Sequence, residues 1–476
     1  MSRNGRRRRR LTVGLLVLAG AGLLGTAAGL VLAHARPPAE RGRYAVRQVE
    51  GSERLELLAG RIDLPALAEA LARDGRADIL ARRDGAWLLT RTLTVRRGAS
   101  LTVGRATLRL LSEPRRFAGL EARGGRLEIV DSTVTSWAAS GGRPDAEVGD
   151  GRAWVLARDG SVMNVRNSRM ELLGYDRAER YGVSWRTRAT SGAIDRSVFT
   201  GNFYGAYMHG IAAMAVTGSV IEKSHRYGLD PHSGSRNLHI EGNIFRHNGK
   251  HGMILAVGCS NATVRGNQSY GNAGHGIVVF EGSNDATLSG NEVHDNKLSG
   301  IDVNNSLRLR LTGNVVYGND IGLHVHGRSR SVTADANRLT ANRADGLRVA
   351  TGASAVTASR NLIDFNHRAG VFVAEGTARI GPANRLLDNE MGVWLSSDAA
   401  GTAVLDNSIE ANVLDGVHLA GLRVGQVRGN TIRANRKAAF SVATRGTASL
   451  FLAANRLAGN PEKERVRVEG HPQPTG

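Results

Sequence analysis

The sequence predicts an all-β fold, a right-handed parallel β-helix, and three observations predict it. Asparagines recur at a nearly fixed interval: Asn243, Asn267, Asn291, Asn314, Asn337, Asn361, Asn384, Asn407, Asn430 and Asn455 lie 23 to 25 residues apart. Each is followed five positions later by a second Asn, from Asn248, Asn272 and Asn296 through to Asn460. Most units then place a Gly before an alternating segment with apolar residues at Gly+1 and Gly+3, such as Met253/Leu255, Ile277/Val279, Ile301/Val303 and Leu323/Val325. A period of this size marks a solenoid, and alternation of period two marks strands with one buried face. A leucine-rich consensus and a helical return are both missing, so each turn is expected to carry three short strands. Inward Asn columns would stack at about 4.8 Å per coil, bonding to one another and to turn backbone.

From the amino terminus, Arg6 to Arg10 form a basic cytoplasmic segment (1–10). The apolar run Leu11 to Ala33 that follows is long enough to span a bilayer. An uncleaved anchor is expected, with the rest of the chain outside the cytoplasm, periplasmic or at the cell surface. Ala33-His34-Ala35 also offers a cleavage site, and cleavage near Ala35 would make the protein secreted. Residues 36–61 read as a linker. Within 62–100, a cap region, Asp63-Leu64-Pro65 starts and Asp74-Gly75 stops a short helix over 64–73. Coils are expected over 101–460, with Ser219, Ser197, Ser168 and Ser132 taking the Asn position upstream. Residues 461–476 read as a flexible tail.

Composition agrees. The 476 residues include 60 Gly without a G-X-Y period, which excludes collagen. A single Cys, Cys259, excludes an internal disulfide framework and a Cys-based zinc site. The formal net charge is +20, and the six Arg among the first ten residues leave the body near +14. Such a charge favours an anionic partner. The basic residues are dispersed, so nucleic acid is not expected.

If Gly+1 and Gly+3 point inward, Gly+2 and Gly+4 face solvent. That outward row reads Ser184/Arg186, Tyr207/His209, Asp230/His232, Ile254/Ala256, Val278/Phe280, Asp302/Asn304, His324/His326 and, farther on, His418/Ala420. Ten of the 14 His fall between 209 and 326. Such a face suits an extended polymer, and Tyr207, His209, His251, Phe280, Asp302, Asn304, His324 and His326 are the expected substrate-binding residues. The densest stretch runs from Ser224 to His232, and stacking is expected to bring His225 close to Lys250 and His251 of the next coil.

The segment Tyr227-Gly228-Leu229-Asp230-Pro231-His232 resembles the Y-G-x-D-P-H signature of the periplasmic-type mannuronan (alginate) C5-epimerases. Lys250-His251-Gly252-Met253-Ile254, Asn267-Gln268-Ser269-Tyr270 and His294-Asp295-Asn296-Lys297-Leu298-Ser299-Gly300 are similar to that family too. The resemblance covers about 200–305. It implies His225 as the catalytic base, Asp230 and His232 as positioning groups, and Lys250 as the cation on the substrate carboxylate. The family usually has Arg where Lys250 stands, and a second Asp where Ser233 stands.

The residue types fit that chemistry. Epimerisation removes the C5 proton, alpha to a carboxylate, so a neutral His and a neighbouring cation are what the step needs. The reprotonating acid is a water, His251, Tyr207 or His209. A β-eliminating polyuronate lyase shares the intermediate, and a glycan-binding envelope protein shares the scaffold; these are the alternatives to an epimerase. No redox, nucleotide or phosphate-cradling motif appears, so chemistry without a cofactor is expected and no metal ligands are assigned. A Ca²⁺ requirement stays open, without an acidic repeat in its favour. Expected partners are a polyuronate, the membrane through the N-terminal segment, and envelope polysaccharide export or synthesis proteins.

Overall fold

The computed structural model describes residues 42–49, 52–114, 116–420, 426–442 and 454–466. The expected anchor, 11–33, lies outside them, and among the described residues no helix is long and apolar enough to cross a membrane. The described chain winds into about 15 turns of a parallel β-solenoid. One coil runs through strands Leu229–His232, Leu238–Glu241 and Ile244–Arg246 before the next coil opens with Met253–Ala256. Each strand pairs in parallel with its equivalents one coil before and after, which builds three lengthwise sheets.

The Asn columns show why this residue type recurs. The Asn337 side-chain amide donates to Oδ1 of Asn361 at 3.0 Å and to the Leu311 carbonyl at 2.9 Å. Its own Oδ1 accepts from the backbone and side-chain nitrogens of Asn314 at 3.0 and 2.9 Å. Two donors and two acceptor positions are thus all used in a dry interior, which neither Leu nor Asp can do. The second column, Asn248 to Asn460, bonds in the same way. Upstream, Ser219, Ser197, Ser168 and Ser132 accept the preceding coil's backbone N–H through their hydroxyls, as expected. The turn glycines have a steric cause: a Cβ at Gly276 would overlap Val293 and press on the Asn296 amide and the Gly300 carbonyl.

The helix Leu64–Arg73 forms at the expected bounds. Asp63 Oδ1 accepts from Ala66 N at 3.0 Å, and Leu64, Leu67 and Leu71 enter the core. The expected domain limits shift outward at both ends. Residues 36–61 are not simply a linker: Arg43–Val49 and Ser52–Asp63 are strands, and the latter pairs in parallel with Thr92–Arg96 and with Ala99–Gly104. Coils therefore begin inside the region read as linker and cap. They carry neither an Asn ladder nor its Gly, only alternating Leu55/Leu57, Leu93/Val95 and Leu101/Val103. At the far end, Glu462–Val466 pairs with Ala438–Val442, so the first part of the expected tail is one more strand.

Candidate active site

Alternation on the sheet that contains Leu229–His232 puts Leu229 and Pro231 inside and Asp230 and His232 outside. Register then builds two outer rows. Ser184, Tyr207 and Asp230 are consecutive neighbours in one, and Arg186, His209 and His232 in the other. Farther along, Val278, Asp302 and His324 are neighbours, as are Phe280, Asn304 and His326.

This face is not the open, solvated surface the alternation predicts. Ser184, Tyr207, Asp230, Ile254, Ala256, Val278, Asp302 and His418 are all buried. Ile254, Ala256 and Val278 form an apolar cluster outside the core, covered by Tyr227 and Phe280. Strands stacked about 4.8 Å apart let large side chains of flanking turns lie over their neighbours. The result is two polar patches, one around Asp230 and one around Asp302, separated by a two-coil apolar floor.

In the first patch, Asp230 is 1% exposed and its Oδ1 has no protein hydrogen-bond partner. Burial pushes its carboxyl up to about 8, against the pull of the Lys250 charge. Tyr204 and Tyr207 are likewise raised, Tyr207 to about 12, chiefly by burial. These tyrosines join Tyr181, Phe203 and Tyr227 in a continuous aromatic cluster with ring centroids 5.0 to 6.3 Å apart. The Tyr207 hydroxyl lies 3.3 Å from His209 Nδ1, and the His209 and His232 rings stack at 6.3 Å. His232 Nδ1 meets Ser233 Oγ at 2.6 Å. Burial first, then the Arg186 charge, lowers His209; burial, His209 and Arg186 lower His232.

The turn before this strand carries His225, which is exposed. Its ring lies against Phe203 at 6.5 Å, and among the described residues it has no hydrogen-bond partner. Desolvation and then the Arg152 charge lower its pKa, so it is neutral at neutral pH. The Lys250 backbone donates to the Arg226 carbonyl at 3.0 Å, which confirms that the two turns are stacked. The side chains part, however. Lys250 Nζ donates to the Tyr227 hydroxyl at 2.9 Å, and His225 turns towards the previous coil. His251 is buried beneath Tyr227, and its Nδ1 accepts the His275 backbone N–H at 3.0 Å. Burial, His275 and Lys250 push His251 down to about 3.

In the second patch, Asp302 Oδ1 lies 3.2 Å from His326 Nε2, 3.4 Å from His324 Nδ1 and 3.8 Å from His275 Nδ1. Burial alone would raise Asp302, but the bonds to His324 and His326 hold it below the usual carboxylate range. Asn304 and Phe280 are half-buried in the adjoining row.

Two groups escaped the sequence reading. Arg186 stands in the outward row, where no role was assigned to it; its guanidinium lies 4.7 Å over Tyr207, with Nε and Nη2 buried and unpartnered. The outward row itself held the signal, since Arg186, His209 and His232 share one column. Arg152 is fully buried and donates to the carbonyls of Gly174, Gly201 and Leu173. It belongs to no repeat position, so nothing in the sequence singles it out.

A parallel solenoid whose outer face carries an aromatic cluster and rows of imidazoles defines the class of protein. The family described as "Right handed beta helix region" matches residues 155–316 and 299–456, and the chain belongs to it. Among curated proteins, the chain is similar to mannuronan C5-epimerase AlgG of Azotobacter vinelandii, 26% identical over 209 residues, 41% of this chain and 39% of that protein. It is similar to the mannuronan C5-epimerase of Pseudomonas aeruginosa at 26% identity, over 41% of this chain and 38% of that one. The chain thus spans about two fifths of the length of these relatives. Among solved structures, periplasmic alginate epimerase AlgG superposes with a TM-score of 0.52 at 16% identity, covering 91% of this chain and 95% of that one. A mutant of the same enzyme gives 0.57 at 18%, covering 79% and 85%. At these identities the superpositions establish the fold.

Proposed function

We propose that the chain is a polyuronate C5-epimerase, an isomerase acting on residues within a mannuronan-like polymer. The observation that carries this reading is the segment 225–232, which presents, among the described residues, an exposed imidazole without a side-chain hydrogen bond at His225 and, five residues on, a buried carboxyl at Asp230 whose Oδ1 has no partner. Similarity to mannuronan C5-epimerases over two fifths of the chain supports it.

In this mechanism a neutral His225 nitrogen takes the C5 proton, and the electron pair moves onto the carboxylate as an enediolate. Lys250 offsets the growing charge, and the Asp230 carboxyl donates a hydrogen bond to it; a carboxylic acid kept neutral by an apolar site is suited to that task. His232 positions the sugar. Tyr207, held protonated and in register beside Asp230, returns a proton to the opposite face of C5. His251 is less suited to this role, because its Nδ1 is engaged by backbone. The Arg186 guanidinium, lying over Tyr207 in the next row, offsets the carboxylate charge of a neighbouring sugar. The aromatic cluster provides sugar platforms.

The same reading places the solenoid outside the cytoplasm, anchored through 11–33, with the 64–73 helix as an end cap and envelope polysaccharide export or synthesis proteins as neighbours. Membrane fractionation tests it, and a full-length soluble cytoplasmic protein would refute the anchoring. For the activity, incubation with polymannuronate followed by proton NMR is decisive. Guluronate signals are expected. An unsaturated product absorbing in the ultraviolet would make the chain a lyase, and an unchanged polymer would make it a binding protein.

A further inference from the structure

We propose that Asp302, His324 and His326 form a binding site for a divalent transition-metal ion of the zinc type. His324 and His326 are two apart on strand Leu323–His326, so both imidazoles emerge on its outer side, and Asp302 is the register neighbour of His324 one coil earlier. One ligand atom from each of the three residues lies within 4.8 Å of the other two. The two distances to Asp302 Oδ1, 3.2 and 3.4 Å, match the edge of a tetrahedron whose centre is about 2.0–2.2 Å from each ligand.

Second-layer support is present. His275 Nδ1 approaches the same Asp302 oxygen at 3.8 Å but already accepts the Ser299 backbone N–H at 3.1 Å, so it lines the site without completing it. The His324 and His326 rings stack at 4.1 Å with planes 8° apart, so one ring must turn about its Cβ–Cγ bond for both nitrogen lone pairs to meet at one ion. Two imidazoles and one carboxylate are borderline donors that favour Zn²⁺, Co²⁺ or Ni²⁺. Ca²⁺ asks for six to eight oxygens, which this cluster does not offer. The arrangement also resolves an electrostatic difficulty: a bare buried carboxylate would repel a polyanion on this face, whereas a bound dication reverses the sign. The patch lies three coils from Asp230, about 14 Å away at the strand spacing. The ion is therefore remote from C5 chemistry, and its binding does not depend on the epimerase reading.

The test uses the untagged full chain, stripped with EDTA and titrated with Zn²⁺ by calorimetry and with Co²⁺ by visible absorption. One equivalent is expected to bind at micromolar or lower concentration. Asp302→Asn and His326→Gln should each weaken binding by more than the roughly 10–100-fold that loss of an outer-shell partner costs. Circular dichroism and melting establish that the variants are folded; His326 is only half-buried, so His326→Gln decides the matter if Asp302→Asn does not fold. Failure of the native chain to bind Zn²⁺, equal binding by folded His326→Gln, or displacement of Zn²⁺ by millimolar Ca²⁺ would each overturn the proposal.

Discussion

Tyr227 lies flat on His251, with ring centroids 5.0 Å apart and planes 7° apart, and its hydroxyl accepts a hydrogen bond from Lys250. The ammonium is thereby parked at the edge of an apolar floor, beside a carboxyl that it does not neutralise. Lys250→Ala should lower both polymer binding and turnover, while Lys250→Arg should keep substantial activity because a guanidinium also offsets an enediolate charge. Steady-state kinetics on polymannuronate separates the two. An alanine variant with native turnover would remove Lys250 from the mechanism.

His225→Asn retains size and polarity but removes the basic nitrogen. Loss of a general base costs about 10²–10⁴-fold in rate. Polymer affinity should persist, since the aromatic cluster is untouched. Because desolvation and Arg152 lower the His225 pKa, wild-type activity should extend to lower pH than an ordinary histidine base allows, and Arg152→Gln should shift that acid limb upward. A pH–rate profile unaffected by Arg152→Gln would show that His225 is not the titrating base.

Asp230 makes the opposite prediction on the alkaline side. Its carboxyl is held at about 8, so activity should fall as pH rises through that value, and Asp230→Asn should flatten the limb at reduced activity. The folded state keeps a proton that the unfolded chain releases near pH 4. The resulting cost to stability grows as pH rises from there to about 8. Asp230→Asn should therefore be more stable than the native protein at pH 8, with the gap closing towards pH 4. Denaturant midpoints at the two pH values check this.

His251 titrates in the other sense. Its folded pKa, about 3, is below the ordinary 6.5, so the stability linked to its neutral form is complete above 6.5 and lost as pH falls through that window. The slope can reach about 1.4 kcal/mol per pH unit. His251→Gln should lose less stability than the native chain between pH 6.5 and 4.5. Equal losses in urea titrations would show that His251 does not carry the effect.

In the ladder, Asn337→Leu takes the acceptor from the Asn314 backbone N–H and from one N–H of its side-chain amide, and the side-chain donor from the Leu311 carbonyl, in a dry core. At about 1–3 kcal/mol for each buried polar group left unsatisfied, the cost should be at least about 3 kcal/mol. An unchanged unfolding midpoint would contradict the satisfied ladder.

The sequence alone determined the coil. The 23-to-25-residue spacing, the two Asn columns with their Ser forerunners, the inward pairs and the helix at 64–73 are all legible, because each is set by backbone periodicity or by a cap within a few residues. It also singled out the segment 225–232. What it could not determine is which outward side chains remain wet. Asp230, Tyr207 and Asp302 alternate as solvent-facing residues and are nonetheless buried, because neighbours one coil away in space, and more than twenty residues away in sequence, lie across them. Burial of that kind raises Asp230 and lowers His251, and it places Arg152, which has no repeat position, where its charge reaches His225. The first coil was hidden for a related reason: without side-chain ladders it is held by backbone pairing and plain Leu/Val alternation, which a linker can mimic. Periodicity decides where the strands run, while lateral packing between coils decides their electrostatics, and only the tertiary structure contains that packing.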